Sequence, residues 1–323
     1  MAVRFTRIDL TAYPVDAGRQ GQLHQGFCQS GPLDPYAFSL ANLLCGQPSA
    51  TTIEFIGGLG VEFTAPAVVS ITGPAAEITL DNQLQQSWQS IKVNAGQQLV
   101  VAPARIGSKH YLAIQGGFEF PRVVGSASMV KREQLGGLHN DGKPLTASDE
   151  VSIASVTTEQ KLPGMLPGLL IPDYQSSVRV GLVPGYQHDW LTSLQWQRLL
   201  SSEYTITPQV DRMGYRLNGP AIELPSRALY SEAIALGAMQ IPPDGQPIVM
   251  MADRQTLGGY PKAGTIARCD LNHFAQGIPG DKITFYQLDA NDARARWLLQ
   301  QAAIQRWLSS QVCGPGVFST RFS

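Results

Sequence analysis

Apolar residues along this chain come in short runs separated by turn residues. Ala67–Gly73, Gln98–Ala102 and His110–Gln115 in the first half, and Val178–Val183, Pro247–Ala252 and Lys282–Tyr286 in the second, are rich in β-branched or aromatic residues and bounded by Gly, Pro or Asp. That pattern predicts strands. Helical signals are fewer. Asp34-Pro35 opens one helix, with an acid able to cap free N–H groups and a proline that loses no bond at the first position; Tyr36–Cys45 follows and Gly46 ends it. A second helix is predicted from near Asp189 to about Leu200. A third spans Ala290 to about Leu308, where Trp297, Ile304 and Trp307-Leu308 are spaced to dock one face.

Thr157–Ser177 contains Lys-Leu-Pro-Gly-Met-Leu-Pro-Gly and has no sustained period, so it reads as a linker or irregular crossover. The expected division is a first domain over 1–156, a crossover over 157–177, and a second domain over 178–323 that carries the C-terminal helix. Asn94-Ala-Gly-Gln-Gln-Leu-Val-Val and Pro279-Gly-Asp-Lys-Ile-Thr-Phe are similar phrases near the ends of the two strand-rich halves, a weak sign of tandem duplication. The overall expectation is a mainly β chain of two small barrels with a few helices.

Composition narrows the function classes. With 43% hydrophobic and 15% charged residues over 323 positions, the chain has material for a core and is not disordered. Its net charge of −1 and lack of a basic tract argue against nonspecific nucleic-acid binding. No bilayer-spanning apolar run or signal peptide is visible, which points to a cytoplasmic protein. The four cysteines, Cys28, Cys45, Cys269 and Cys313, have neither Cys-x-x-Cys nor zinc-finger spacing and read as reduced structural thiols. His139, His188 and His273 have no metal spacing, His110 sits in an apolar strand, and no metal site is expected. Walker and dinucleotide glycine motifs are absent.

Ionisable residues cluster at turns from Pro208 to Lys262, where a rigid β scaffold commonly carries binding groups. Arg212 and Arg216 lie four apart and, in an extended chain, share a face; their forks suit a carboxylate. Asp211, Asp244 and Asp253 are placed to orient those arginines or handle protons. Equally, Pro-Pro-Asp-Gly is an ordinary turn and the Asp–Arg pairs are structural bridges. Gly258-Gly259 admits close approach of a ligand or forms a bulge. His24, Ser30 and Asp34 do not make a persuasive triad, because Asp34 is better explained as the helix cap and no nucleophile elbow is present.

Several phrases together resemble one family, variously called allophanate hydrolase subunit 2, KipA-like, the 5-oxoprolinase C subunit or biotin-dependent carboxyltransferase. They are Asp16-x-Gly-Arg-x-Gly, Ser30-Gly-x-x-Asp34, Ala41-Asn-Leu-Leu-x-Gly46, Ile53-Glu-Phe-Ile-Gly-Gly58, Tyr111-Leu-Ala-Ile-Gln-Gly-Gly117 and Leu182-Val-Pro-Gly185, then Asp211-Arg-Met-Gly-Tyr-Arg-Leu, Pro243-Asp-Gly-Gln-Pro and Thr256-x-Gly-Gly-Tyr-Pro. Gly142-Lys143 and Ser148-Asp149 stand where the family often has Gly-Arg and Gly-Asp, and Cys28 where it usually carries a small residue or Pro.

The resemblance implies two tandem cyclophilin-like β-barrel domains. It also implies an enzyme that opens 5-oxoproline to glutamate only with a B-type (KipI-like) and an A-type partner, ATP being supplied through those partners and no cofactor held by this chain. Carboxyl transfer from biotin to urea or another amide, and a KipA-type regulatory role without catalysis, are the alternatives it carries. From the clustering of polar motif residues on turns, Asp244, Asp253 and Arg216 are expected to carry the chemistry. Those expected to bind substrate are Arg212, Tyr215, Gln246, Gln255, Thr256, Gly258, Gly259, Tyr260, Lys262, Ser30 and Asp34.

Overall fold

The computed structural model describes residues 1–155, 162–225, 227 and 229–311. Contacts divide the chain into two units: Met1–Gly18, Pro35–Asp173 and Gln301 onward form the first, and Arg19–Asp34 with Tyr174–Gln300 form the second. Cys313 and part of the 157–177 stretch lie outside the described residues.

The first unit contains β1 (Ala2–Ile8), β2 (Thr11–Val15), α1 (Pro35–Leu44), β3 (Thr52–Ile56), β4 (Leu59–Phe63), β5 (Ala67–Thr72), β6 (Ile78–Leu80), β7 (Gln83–Gln85), β8 (Ile91–Val93), β9 (Gln98–Val101), β10 (Lys109–Ile114) and β11 (Glu150–Ser152). Its strands form a six-stranded sheet, β11-β1-β4-β9-β6-β7, and a five-stranded sheet, β2-β3-β10-β5-β8. Val3, Phe5, Val61 and Leu99 from one sheet join Ile53, Phe55, Ile71 and Leu112 from the other in a single core, as two half-apolar sheets must. β10 is buried along its whole length, its Lys109 and His110 included, which explains the unbroken apolar run Tyr111–Ile114 within it.

The helix expected after Asp34 forms as α1, and Gly46 closes it in the left-handed region at φ 77°. Asn42 inside it is fully buried, yet its amide donates to Phe38 O and Thr52 Oγ1 and accepts from Ala50 N and Gln47 Nε2. Asp16 organises the opposite end of β2. Its carboxylate accepts from Gly18 N, Ser126 Oγ, Ala127 N and Ser128 Oγ at 2.5–2.9 Å. Burial pushes its pKa up, and those bonds more than offset it, holding the group below the usual carboxylate value. The Asp of the Asp-x-Gly-Arg phrase is therefore an architectural hub.

The second unit contains β12 (Ser177–Pro184), α2 (Ser193–Ser201), β13 (Glu203–Val210), β14 (Gly214–Asn218), β15 (Glu232–Ala233), β16 (Ala238–Gln240), β17 (Ile248–Met250), β18 (Leu257–Gly258), β19 (Lys262–Ile266), α3 (Arg268–Gln276), β20 (Lys282–Gln287) and α4 (Ala290–Gln311), whose last turns belong to the first unit. Seven strands close a barrel in the order β12-β19-β16-β17-β14-β13-β20, and β15 pairs with β18 as a separate ribbon. The mainly β class is as expected. Tyr204, Tyr215, Leu217, Met239, Val249, Phe274 and Phe285 fill the barrel core.

Two helix expectations need correction. The turn at Tyr186–Trp190 is 3-10, and the helix begins at Ser193 because Thr192 and Gln195 form a reciprocal capping box. α3 adds a helix to those expected, although Leu271, Phe274 and Ala275 have helical spacing and Gly277 follows its end. The two similar phrases perform the same job: Gly96 and Gly280 turn in the left-handed region at φ 82° and 99°, shortly before β9 and β20.

Candidate functional site

The expected site residues in the second unit gather into three clusters. The first is built by extending the β14–β17 pairing past its last ladder rung. Gly214 opposes Met250, then Met251 N donates to Met213 O and Asp253 N to Arg212 O at 2.9 and 2.8 Å. Arg212 and Asp253 thus emerge side by side. The arginine fork meets the carboxylate with Nε–Oδ2 at 2.9 Å and Nη2–Oδ1 at 3.1 Å. Ser30 Oγ donates to Asp253 Oδ1 at 2.7 Å, Ser30 N donates to Ala252 O, and Arg212 Nη2 also reaches Ser30 Oγ and Gly31 O. Ser30 and Gly31 turn in the left-handed region at φ 56° and 100°, a conformation uncommon for Ser. Asp34, fully buried, accepts from Tyr174 Oη at 2.6 Å and Gln276 Nε2 at 2.9 Å. The Ser30–Asp34 phrase is thereby pinned to the barrel by a buried ion pair and a buried carboxylate.

The second cluster is the Pro-Pro-Asp-Gly turn. Arg216 pairs with Asp244 at 2.8 Å, with side chains 34% and 47% exposed. Gln246 bonds both Gly219 N and Gly219 O, acting as one more rung of backbone. Asp211 does not orient an arginine: its carboxylate accepts from Met213 N and Gly214 N and shapes the turn. Tyr215, between the two arginines, points into the core, where its hydroxyl donates to Ala275 O and its ring lies against Phe274. The two arginines therefore serve separate acids.

The third cluster surrounds the β15–β18 ribbon. Lys262 Nζ lies 2.5 Å from Glu232 Oε1, Gln187 Nε2 donates to the same oxygen at 2.6 Å, and Lys262 N donates to Gln187 Oε1. The hydrogen bond from Lys262 holds the Glu232 carboxyl below its ordinary pKa. Thr256 contributes its carbonyl to Ile234 N; Gln255 is half-buried, and Gly259 and Tyr260 are exposed.

Glu232, Gln187, Gln240, Arg254, Tyr174 and Gln276 are the members that sequence reading missed. Arg254 stands beside the expected Asp253 and is buried, donating to Ile234 O, Met251 O and Gln29 Oε1. Burial lowers its pKa, against the pull of Cys28 and Asp253. His110 is a core residue stacked on Phe55, its Nε2 against Pro74 O, and burial lowers its pKa to about 4.

Known proteins share this architecture. The chain is 34% identical over 289 residues to the 5-oxoprolinase C subunit of Haemophilus influenzae, covering 86% of this chain and 88% of that protein. It is 32% identical over 281 residues to the 5-oxoprolinase C subunit of Escherichia coli, with the same coverages. The crystal structure of Kluyveromyces lactis urea carboxylase superposes with a TM-score of 0.87 at 23% identity, over 98% of this chain and 30% of that one, a likeness of fold. The family profile described as carboxyltransferase domain, subdomain A and B, matches residues 25–287, and the chain belongs to that family.

Proposed function

We propose that this chain is the C-type subunit of a cytoplasmic, ATP-dependent 5-oxoprolinase, opening 5-oxoproline to glutamate together with a B-type, KipI-like subunit and an A-type subunit. The observation that carries this reading is the alignment to two relatives of that name over 88% of their own length. A lactam amide is stable, and ring opening requires activation and a place for developing negative charge. In this reading ATP is bound by the partners, and this chain supplies positioning and electrostatic stabilisation.

Geometry favours different roles for the two arginines. Arg212 is sequestered by Asp253, Ser30 and Gly31 and positions the Ser30–Asp34 phrase. Arg216 faces solvent on a rim-exposed pair with Asp244 and is the arginine able to exchange its acid for a substrate carboxylate. The test is reconstitution with both partners, followed by glutamate release from 5-oxoproline and ATP, with Arg216→Lys in parallel. Turnover by the wild-type complex and a raised KM in the variant are expected. A complex that leaves 5-oxoproline intact while carboxylating urea from biotin would overturn the reading.

A further inference from the structure

The helix α4 carries two apolar faces, and only one of them is covered. Ile304, Trp307 and Leu308 are buried, and Arg268 lies over the Trp297 ring at 5.2 Å, so these residues dock the helix. At about 100° per residue, Ala295, Leu298, Leu299 and Ala302 share an arc on the opposite side, and all four are exposed. Leu298 is 47% and Leu299 68% open to solvent. Apolar residues at i, i+3, i+4 and i+7 have the spacing of a helix face that meets another surface.

The order of these residues says what that surface is. Ala295-x-x-Leu298-Leu299-x-x-Ala302 reads the same from either end. A two-fold axis passing between Leu298 and Leu299 generates an antiparallel second helix, with Leu298 against Leu299 of the other copy and Ala295 against its Ala302. In an isologous contact residue i meets j and j meets i, and this stripe has that symmetry built in. A partner of different sequence needs no such symmetry.

The flanking charges are complementary in the same register. Asp292 lies before the stripe and Arg306 beyond it; both are exposed, and neither forms an ion pair among the described residues. Arg296, one turn on from Asp292, is held instead on Tyr286, hydrogen-bonded to its hydroxyl and with its guanidinium 5.4 Å from the ring centroid. About the two-fold, Asp292 of one copy and Arg306 of the other come level to within one residue's rise, about 1.5 Å. A parallel pair would set Asp292 on Asp292 and Arg306 on Arg306, juxtaposing like charges.

We propose that α4 is the interface of a homodimer, in which two copies of this chain pack antiparallel along Ala295, Leu298, Leu299 and Ala302, with an Asp292–Arg306 ion pair at each end. The contact runs along about 21 Å of helix, which places it among weak, concentration-dependent associations. It is independent of the 5-oxoprolinase reading, since none of these residues belongs to the three clusters above.

Sedimentation equilibrium of the full chain over about 1–500 µM tests it. Monomer at the low end and dimer at the high end are expected. Leu298→Glu and Leu299→Glu are each expected to weaken the dimer about tenfold or more, because the two-fold buries each change twice. Asp292→Arg and Arg306→Asp singly are expected to weaken it about threefold or more, and the double variant to return to within about twofold of wild type. If a leucine variant fails to fold, the charge reversals decide. A chain that is monomeric throughout, a dimer indifferent to the leucine changes, or single reversals that the double variant does not rescue overturns the proposal. A monomeric chain that dimerises only after removal of residues 312–323 assigns the stripe to its own end. One whose binding of a B-type subunit is lost in Leu299→Glu assigns it to that partner. Either result overturns the second copy.

Discussion

Replacing Arg212 by Lys tests the clamp on the Ser30–Asp34 phrase. The guanidinium makes two charge-assisted bonds to Asp253, and the two side chains are only 11% and 6% exposed. Such bonds contribute about 1.5–3 kcal/mol each. Lysine keeps the charge but reaches at most one carboxylate oxygen, and it cannot also hold Ser30 Oγ and Gly31 O. A net loss of about 2–3 kcal/mol follows for the clamp, against about 3–5 kcal/mol for Arg212→Ala, which strands a buried carboxylate. Because Ser30 N donates to Ala252 O beside the clamp, local opening is read by hydrogen exchange at that amide. A loss of about 2–3 kcal/mol corresponds to exchange about 30- to 150-fold faster. Exchange in Arg212→Lys within about threefold of wild type would refute the assignment of the pair as the clasp.

The exposed Arg216–Asp244 pair is expected to behave oppositely: Arg216→Ala and Asp244→Ala each change thermal stability by less than about 1 kcal/mol, so lost turnover in either reports a role in the reaction. Tyr174→Phe removes the 2.6 Å bond to buried Asp34 but leaves Gln276 in place, and a loss of about 1.5–3 kcal/mol in denaturant unfolding is expected. His110, ordinarily titrating at 6.5, is lowered by burial to about 4. The unfolded chain therefore binds more protons between those values. This contribution is complete above pH 6.5 and falls by about 3 kcal/mol as the pH drops to about 4; His110→Gln should flatten that slope in a pH series of unfolding curves.

Local chemistry determined much of this molecule. β5, β9, β10, β12 and β20 lie where alternating or continuous apolar runs predict them, since a side chain's preference for a pleated, half-buried surface acts over a few residues. α1 and its Gly46 stop are legible for the same reason. The start of α2 is not, because a capping box at Thr192 overrides the polar signal at Asp189, and α3 is hidden by weak cap chemistry at Ala267.

The site residues are legible as a set but not as roles. Sequence places Arg212 and Arg216 on one face, and only barrel closure, with the extended β14–β17 register, hands them to different acids. The grouping of Arg19–Asp34 with the second unit, and the meeting of Gln240, Lys262 and Glu232 from three separate strands, are likewise decided by tertiary structure. The physical reason is separation along the chain: a hydrogen bond between Ser30 and Asp253 spans 223 residues, and no local propensity encodes which distant partner a buried polar group will find.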